Sequence, residues 1–474
     1  MIDTLPSYPA YKDSGLPWLG QVPEHWEVQR AKFLLREVDS RSQFGTEQLL
    51  RVSQYTGVTQ RKSLDDSDSP DTRASSLVGY KIVEPDDLVI NIMLAWNGSM
   101  GVSRYNGIAS PAYCVYRFKK DVLPWYFHEL LRTPIYKQRI KTASTGVVES
   151  RLRLYSDDLG RLELPLPPPA EQAAIVRFLE WAGGRLERTI RAKRKIIALL
   201  NEQKQAIIHR AVTRGLDPNV PLKDSGIPWL GEIPAHWEVV TIRSMSTLIQ
   251  TGPFGSQLHS HEYIVAGIPV INPSHMANGY FKPSLNVTIT AEKAMELSRH
   301  KLHSGDIVIA RRGDLGRCAR VTNLEEGWIC GTGSLLLRCK ALVSPEFFRI
   351  VFSSRGITDM LSLSSIGATM ENLNAGVVAR QRIPLPPISE QEKIVVFISL
   401  ETDKVNTAIS RLEREIELLR EYRTRLISDV VTGKLDVRAA AATLPDEPSI
   451  DSLVATHDVL ADDADEALDT TEDV

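Results

Sequence analysis

Apolar positions recur along this chain with two periods, and the period switches twice. Over residues 30–163, and again over 241–382, apolar runs are short and interrupted by turn residues. Ala112-Tyr-Cys-Val-Tyr-Arg-Phe118 alternates and predicts a strand. Lys81-Ile-Val-Glu-Pro-Asp-Asp-Leu-Val-Ile90 predicts a turn between two apolar runs, and Leu123-Pro-Trp-Tyr-Phe-His-Glu-Leu-Leu131 predicts a helix opened by its proline. Over about Glu171–Val212 and Glu390–Val431 the spacing becomes three-four. In the first of these, Val176, Gly183, Ile190, Ile197, Lys204 and Ala211 form one column and Leu179, Leu186, Lys193, Leu200 and Ile207 the other. In the second, the columns are Val395, Thr402, Ile409, Ile416, Arg423 and Val430, and Ile398, Val405, Leu412, Leu419 and Leu426. These are coiled-coil seams on helices about 60 Å long. Ser389 and Glu392 fit a capping box at the second start, and Gly433 closes its end. The natural partner of each seam is the other, run antiparallel, since an unpaired stripe of that length exposes a large apolar area.

The two halves are copies. Residues 12–28 (KDSGLPWLGQVPEHWEV) return as 223–239 (KDSGIPWLGEIPAHWEV), with thirteen of seventeen positions identical. Residues 164–179 (LPLPPPAEQAAIVRFL) return as 383–398 (IPLPPISEQEKIVVFI). Such self-similarity has to be read before any fold is assigned. It gives an arm at 1–29, a globular region at 30–163, a Pro-rich exit and long helix at 164–222, a second arm at 223–240, a second globular region at 241–382, a second exit and helix at 383–436, and a tail at 437–474. The expected fold is α+β: two globular domains at opposite ends of an antiparallel pair of long helices, related by a pseudo-twofold. Between the globular regions only fragments match, such as Pro-Asp-Asp-Leu-Val-Ile (85–90) with Ser-Gly-Asp-Ile-Val-Ile (304–309). A shared scaffold with divergent heads suggests one kind of task on two targets.

Charge first argues against a polyanion partner, and then permits one without demanding it. The net charge is −3, but residues 437–474 hold eleven Asp or Glu and one Arg, which leaves the body at +7. The tail, rich in Ala, Asp and Glu, is expected to be disordered. Four cysteines, none at C-x₂-C spacing, read as small buried apolar residues. No apolar run approaches the roughly 18–20 residues that span a bilayer, and the N-terminus lacks a leader pattern, so the expected location is the cytoplasm.

A search for catalysis finds no assembled site. The chain contains no P-loop, no G-x-S-x-G elbow and no H-E-x-x-H. His259, His261, His300 and His303 lack partners at metal spacing. Ser110-Pro-Ala-Tyr113 approaches the base-gripping segment of adenine methyltransferases but has Ala112 where a second proline belongs, and no glycine-rich cofactor loop precedes it. What remains is polar, aromatic and basic residues clustered in turns. In the first region these are Gln54, Tyr55, Gln60, Arg61, Lys62, Trp96, Asn97, Ser99, Arg151 and Arg153; in the second, Thr251, Phe254, Ser256, Gln257, Asn272, His275, Arg311, Arg312 and Arg317. Gln and Asn pair with adenine edges, Arg with guanine, and glycines let loop backbones approach phosphates. Solvated loops share this composition, so each cluster by itself is a weak signal.

The arms Asp13-Ser-Gly-Leu-Pro-Trp-Leu-Gly20 and Asp224-Ser-Gly-Ile-Pro-Trp-Leu-Gly231, the exits Leu166-Pro-Pro-Pro-Ala-Glu-Gln172 and Leu385-Pro-Pro-Ile-Ser-Glu-Gln391, and the loops Thr251–Ser256 and Ala310–Gly316 together resemble the specificity subunit of Type I restriction–modification systems. The resemblance covers about residues 1–436 and leaves out the acidic tail. It implies two target recognition domains, each reading half of a bipartite DNA site, with helices that set the spacing. It implies two modification subunits that bind S-adenosylmethionine, restriction/translocase subunits that use ATP and Mg, and no cofactor or catalytic residue in this chain. The competing expectation is an elongated two-headed scaffold that binds proteins and has no DNA specificity.

Overall fold

A computed structural model describes residues 5–61, 76–119, 121–148, 151–277, 279–365 and 373–445. It divides into two compact units, residues 1–193 with 414–474 and residues 194–413. The two have the same internal plan.

In the first unit, strands Tyr11–Asp13 and Gln21–Pro23 form the arm hairpin. Strand Glu27–Arg30 pairs with Glu163–Leu166, which ties the arm to the Pro-rich exit. A four-stranded antiparallel sheet follows, in the order Leu35–Val38, Tyr113–Phe118, Leu88–Asn91, Met100–Val102. Hairpin Leu50–Ser53/Gly57–Gln60 and the pair Lys81–Val83/Gly107–Ala109 flank it. Helices Pro124–Leu131 and Pro134–Ala143 cover it, each opened by proline, whose missing N–H would be unpaired at that position anyway.

The second unit repeats this. Leu222–Asp224 and Glu232–Pro234 form its arm hairpin, and Glu238–Thr241 pairs with Arg382–Leu385. Its four-stranded sheet runs Ser246–Thr251, Ser334–Cys339, Ile307–Ala310, Cys318–Arg320, which is the same topology. It adds a three-stranded sheet whose pair Ile268–Ile271/Ile329–Cys330 is parallel. Helices Pro345–Phe352 and Arg355–Ser365 follow the central strand. With nearly all pairs antiparallel and the helices grouped rather than alternating with strands, each unit is α+β.

The fragments that match between the heads are structural. Asp87 and Asp306 are buried where the central strands begin, and each is held by an arginine of the neighbouring strand. Arg117 Nε donates to Asp87 at 3.0 Å; Arg338 donates through Nε and Nη2 to Asp306 at 2.7 and 2.8 Å. The second oxygen of each carboxylate also caps a turn, accepting from the N–H of Glu84 or His303 at 2.8 Å. A buried carboxylate needs such partners to remain charged.

The two long helices run Pro169–Arg214 and Ile388–Val431. Within the first unit they run antiparallel: Lys193 pairs with Glu415, and Arg423 lies 3.9 Å from Glu187. Within the second, Lys204 Nζ donates to Asn406 Oδ1 at 2.8 Å. On the second helix Ile398, Thr402, Val405, Ile416, Leu426 and Val430 are all buried, as the columns predict.

The repeated sentences meet at the helix starts. Glu171 is buried and accepts from Tyr8 Oη at 2.5 Å and Trp26 Nε1 at 2.9 Å, while His25 Nε2 lies 2.7 Å from its other oxygen. In the second unit His236 Nε2 lies 2.9 Å from Glu390. Trp237 is as buried as Trp26, but its Nε1 finds no acceptor among the described residues. The neighbouring glutamines do matching work. Gln172 accepts from Leu123 N–H and donates to Pro167 O, and Gln391 accepts from Ser344 N–H and donates to Pro386 O, all at 2.8 Å. Gly433 ends the second helix at φ 80°, against Pro23 and Trp26, where a Cβ would come within 2.3 Å of Pro23 Cδ. Only glycine takes that conformation and leaves that space.

Two expectations are corrected. The second helix does not start with a Ser389–Glu392 capping box. It starts at Ile388, and the Pro387 carbonyl accepts from the N–H groups of Glu390 and Gln391, as Pro168 does for Glu171 and Gln172 in the first helix. The tail is not unstructured from residue 437: Arg438–Ala442 is helical, and Val437, Ala441 and Leu444 bury one stripe in the first unit's core. Spacings of four and three place those residues on one helix face, and that apolar face outweighs the acidic composition that follows. Residues 446–474 lie outside the described residues.

Candidate functional site

In both units the candidate residues lie mainly in loops at one end of the four-stranded sheet, where the central strand runs out. In the first unit that strand ends at Asn91. Leu154 N–H donates to Ile92 O at 2.9 Å, which sets the 151–154 segment beside the 92–99 turn. In the second it ends at Ala310, and Leu373 N–H donates to Arg311 O at 2.9 Å, which sets 373–374 beside the 311–317 turn. These are equivalent positions in sequences that scarcely match.

One residue that the sequence reading passed over assembles the first cluster. Arg132 follows helix Pro124–Leu131 and donates only to backbone carbonyls: Ser53, Gln54 and Tyr55 on one side, Gly98 and Met100 on the other, at 2.6–3.3 Å. It staples the 53–55 hairpin tip to the 96–100 turn. Burial pushes its pKa down to about 10, with the Glu129 carboxylate opposing and the Arg423 charge reinforcing the shift. Lys141 stands 5.5 Å from the Trp96 ring. Within the turn, Asn97 Oδ1 accepts from the N–H and hydroxyl of Ser99 at 3.0 and 2.8 Å, so Asn97 and the buried Ser99 shape the turn from within. Tyr55, Arg151 and Arg153 are exposed beside it, and Trp96 and Gln54 are half-buried. Gln60 and Arg61 lie at the opposite end of their hairpin and do not join this cluster. Lys62 lies outside the described residues.

The second cluster is held mostly by backbone. Gly252 N–H donates to Ser334 O, Gly331 N–H to Ile271 O and Arg311 N–H to Gly333 O, at 2.8–3.0 Å. A Cβ on Gly252 would lie 1.8 Å from Gly331 O, so this convergence requires glycine. Arg311 donates through Nε to Leu373 O and through Nη1 to Thr332 O, and Arg317 Nη1 reaches Pro273 O at 3.3 Å. Both arginines therefore fix loops. Burial lowers the Arg311 pKa, and the neighbouring Arg312 charge lowers it further. His275 is buried, with Nδ1 3.0 Å from Val270 O, and it closes a capping box with Asn272, so both shape their turn. Thr251 is half-buried; Phe254, Ser256, Gln257 and Arg312 are exposed. Gln257 Oε1 accepts from Phe254 N–H at 3.0 Å, so this exposed side chain uses its carbonyl on its own turn and its amide NH₂ is not engaged by that bond. The sequence reading also missed Gly331-Thr332-Gly333. Two glycines just before an alternating strand were the available signal.

Among the described residues, no group of three or more His, Cys, Asp or Glu is placed to hold a metal, and no helix is long and apolar enough to cross a membrane. Burial pushes the Cys318 and Cys330 thiols up to about 11 and about 12, the behaviour of packing residues rather than nucleophiles.

The chain is thus a twice-repeated α+β protein, two units of one topology, each with polar loops converging at the same sheet end. A chain from a solved structure concerned with assembly of the type I R-M system shares the fold: TM-score 0.63 at 16% identity, covering 87% of this chain and 99% of that one. Residues 234–418 match the family model for the Type I restriction modification DNA specificity domain. The EcoKI specificity subunit of Escherichia coli (strain K12) is 23% identical over 391 residues, 76% of this chain and 80% of that protein. The putative MjaX specificity subunit of Methanocaldococcus jannaschii is 24% identical over 443 residues, 89% and 96% of the respective chains. By these matches the chain is similar to the specificity subunits of Type I restriction–modification systems, with the family's DNA specificity domain at residues 234–418.

Proposed function

We infer that this chain is the DNA sequence-recognition subunit of a Type I restriction–modification complex, that each unit reads one half of a bipartite, asymmetric site, and that chemistry resides in its partners. The observation that supports one reading role per unit is the convergence, in both, of polar and aromatic loops on the same end of the same sheet. Of the candidate residues, the exposed ones would meet DNA. Gln257 carries an amide suited to adenine edges, and Arg151, Arg153 and Arg312 carry guanidinium groups suited to guanine edges or phosphates, whereas Gln60 lies away from the converging loops. Tyr55 and Phe254 offer exposed rings for a distorted step, and Trp96, half-buried, stands behind Tyr55's loop. Asn97, Ser99, Asn272, His275, Arg311 and Arg317 act behind them by fixing loop shape.

Two modification subunits holding S-adenosylmethionine would methylate adenine N6 on a flipped base, and ATP- and Mg-dependent restriction/translocase subunits would join them in the cytoplasm. The test is single-molecule sequencing for N6-methyladenine in cells that co-express this chain and its modification subunit. A split motif that vanishes without this chain is the expected result. Exchanging Phe254–Gln257 and Arg311–Arg317 for the loops of a relative of different specificity should then change one half-site only. A change in both halves, or in neither, would refute one-unit-one-half reading.

A further inference from the structure

The two units cover the same stretch of their long helices differently. Residues 177–181 (RFLEW) on the first helix align with 396–400 (VFISL) on the second. Phe178 is wholly buried, in one core cluster with Val437, Ala441 and Leu444, and Arg177 Nη2 donates to Leu444 O at 2.8 Å. Its counterpart Phe397 is 39% exposed, Val396 58% and Leu400 65%. Chain connection explains the difference. Gly433 leads through Leu435-Asp436-Val437 into helix Arg438–Ala442. Gly215 leads through Leu216-Asp217-Pro218 into the arm strand Leu222–Asp224, so no helix forms there. The glutamate near each stretch differs in the same way. Tyr8 donates to Glu171, lies 5.8 Å from the Trp26 ring and sits 5.1 Å from the Arg438 guanidinium, so it joins the covering helix to the Glu171 site. Position 8 answers to Asn219 in the second copy. There, among the described residues, Glu390 has His236 alone, and the buried Trp237 Nε1 has no acceptor. Glu390 and Phe397 stand seven residues apart, on one helix face.

We propose that Val396, Phe397 and Leu400 form a docking face for a short amphipathic helix of a separate polypeptide. Its chemistry is the one that Val437–Leu444 displays in the first unit: apolar residues at spacings of four and three, small residues between them, and a hydroxyl donor alongside for Glu390. The first unit shows what such a face accepts. The aligned phenylalanine is the same, Leu179 and Ile398 are both buried beside it, and the helix seated there buries Val437, Ala441 and Leu444 together. Three large apolar side chains exposed within five consecutive residues mark a binding surface more than a solvated one. Arg177 grips the carbonyl end of a helix that stays, whereas Val396 offers no such grip, so the occupant of the second face is held by apolar contact and exchanges more readily. One face is filled from its own chain and the other takes its helix from outside, so the two units are not equivalent to a partner.

The probe is a peptide of residues 434–445 carrying a benzophenone at position 443, photocrosslinked to the full chain and mapped by mass spectrometry. Crosslinks should fall on residues 393–404 and not on the equivalent 174–185, which the chain's own helix covers. Val396→Ser, Phe397→Ser and Leu400→Ser together should reduce the yield by at least about tenfold without lowering the melting temperature, since all three side chains are exposed. A peptide carrying Val437→Ser and Leu444→Ser should lose as much, and it tests the contact with the protein unaltered. Neither DNA nor a modification subunit is needed, so failure here is separate from failure of the DNA-reading role. Absence of crosslinks, crosslinks concentrated on 174–185 or elsewhere on the chain, or indifference to both sets of changes would overturn the proposal.

Discussion

At the residue scale, the copied words and the variable words have different duties. Glu171 takes the Tyr8, His25 and Trp26 side chains in a buried site, whereas Glu390, a quarter exposed, takes only His236. Glu171→Ala strands two buried donors, so it should cost about 3 kcal/mol, against about 1 kcal/mol for Glu390→Ala. Thermal unfolding of the two variants side by side tests this, and equal losses would contradict the asymmetry. Arg132→Lys makes a second case. A lysine keeps the charge but cannot reach five carbonyls in two loops at once. The half-site read by the first unit should therefore be methylated at least about tenfold more slowly, given roughly 1.4 kcal/mol per factor of ten, with the other half-site unchanged. A bisulfite-free methylation time course on both half-sites reads the effect. That the arms and exits matter was legible because they are spoken twice. Arg132 was not legible: it stands alone at a helix end, and its importance arises from loops 30 to 80 residues away that only folding brings to it.

At the element scale, periodicity located the long helices to within two residues and named their seam, because a three-four repeat of apolar residues has few other meanings. The seam's polar interruptions were visible too, but their consequence was not. Lys204 is half-buried between Ile197 and Ala211; burial lowers its pKa, and the Arg349 charge lowers it further. A lysine whose folded pKa lies below its unfolded value is bound to fewer protons when folded. Stability should therefore rise with pH as the solution approaches the ordinary lysine range. Lys204→Leu should remove that rise and add about 1 kcal/mol at neutral pH by continuing the apolar column. Melting temperatures at neutral and alkaline pH check both parts, and a destabilised leucine variant would mean that the Asn406 bond outweighs apolar burial. The capping box failed as a signal for a related reason. Ser389 and Glu392 have the right spacing, but the preceding Pro-rich exit already supplies a carbonyl in place, so the helix starts one residue sooner. The heads were the least legible elements. Their shared topology is carried by a buried Asp–Arg pair and strand order; the matching fragments 85–90 and 304–309 contain Asp87 and Asp306, but neither the arginine partner nor the strand order could be read from them.

At the scale of the whole molecule, each long helix begins in one unit's residues and ends in the other's, with the division falling at Lys193/Arg194 on the first and Glu413/Arg414 on the second. Lys193 pairs with Glu415 within the first unit and Lys204 with Asn406 within the second. If the helices set the distance between two half-sites, lengthening both at that point must lengthen the spacer and nothing else. Seven added residues in each keep the seam in register and extend the pair by about 10 Å, close to three base-pair steps at roughly 3.4 Å each. Four residues extend it by about 6 Å, nearly two steps, but also turn one end by about 40° relative to the other. The seven-residue variant should therefore methylate the same two half-sites separated by three additional base pairs, and the four-residue variant by two. Both should be slower than the parent, since added base pairs turn the far half-site by about 35° each and the duplex must twist to meet its reader. Sequencing the N6-methyladenine motif of each variant decides it. Unaltered half-sites with an unaltered spacer would mean that the partner subunits, and not this pair of helices, fix the distance.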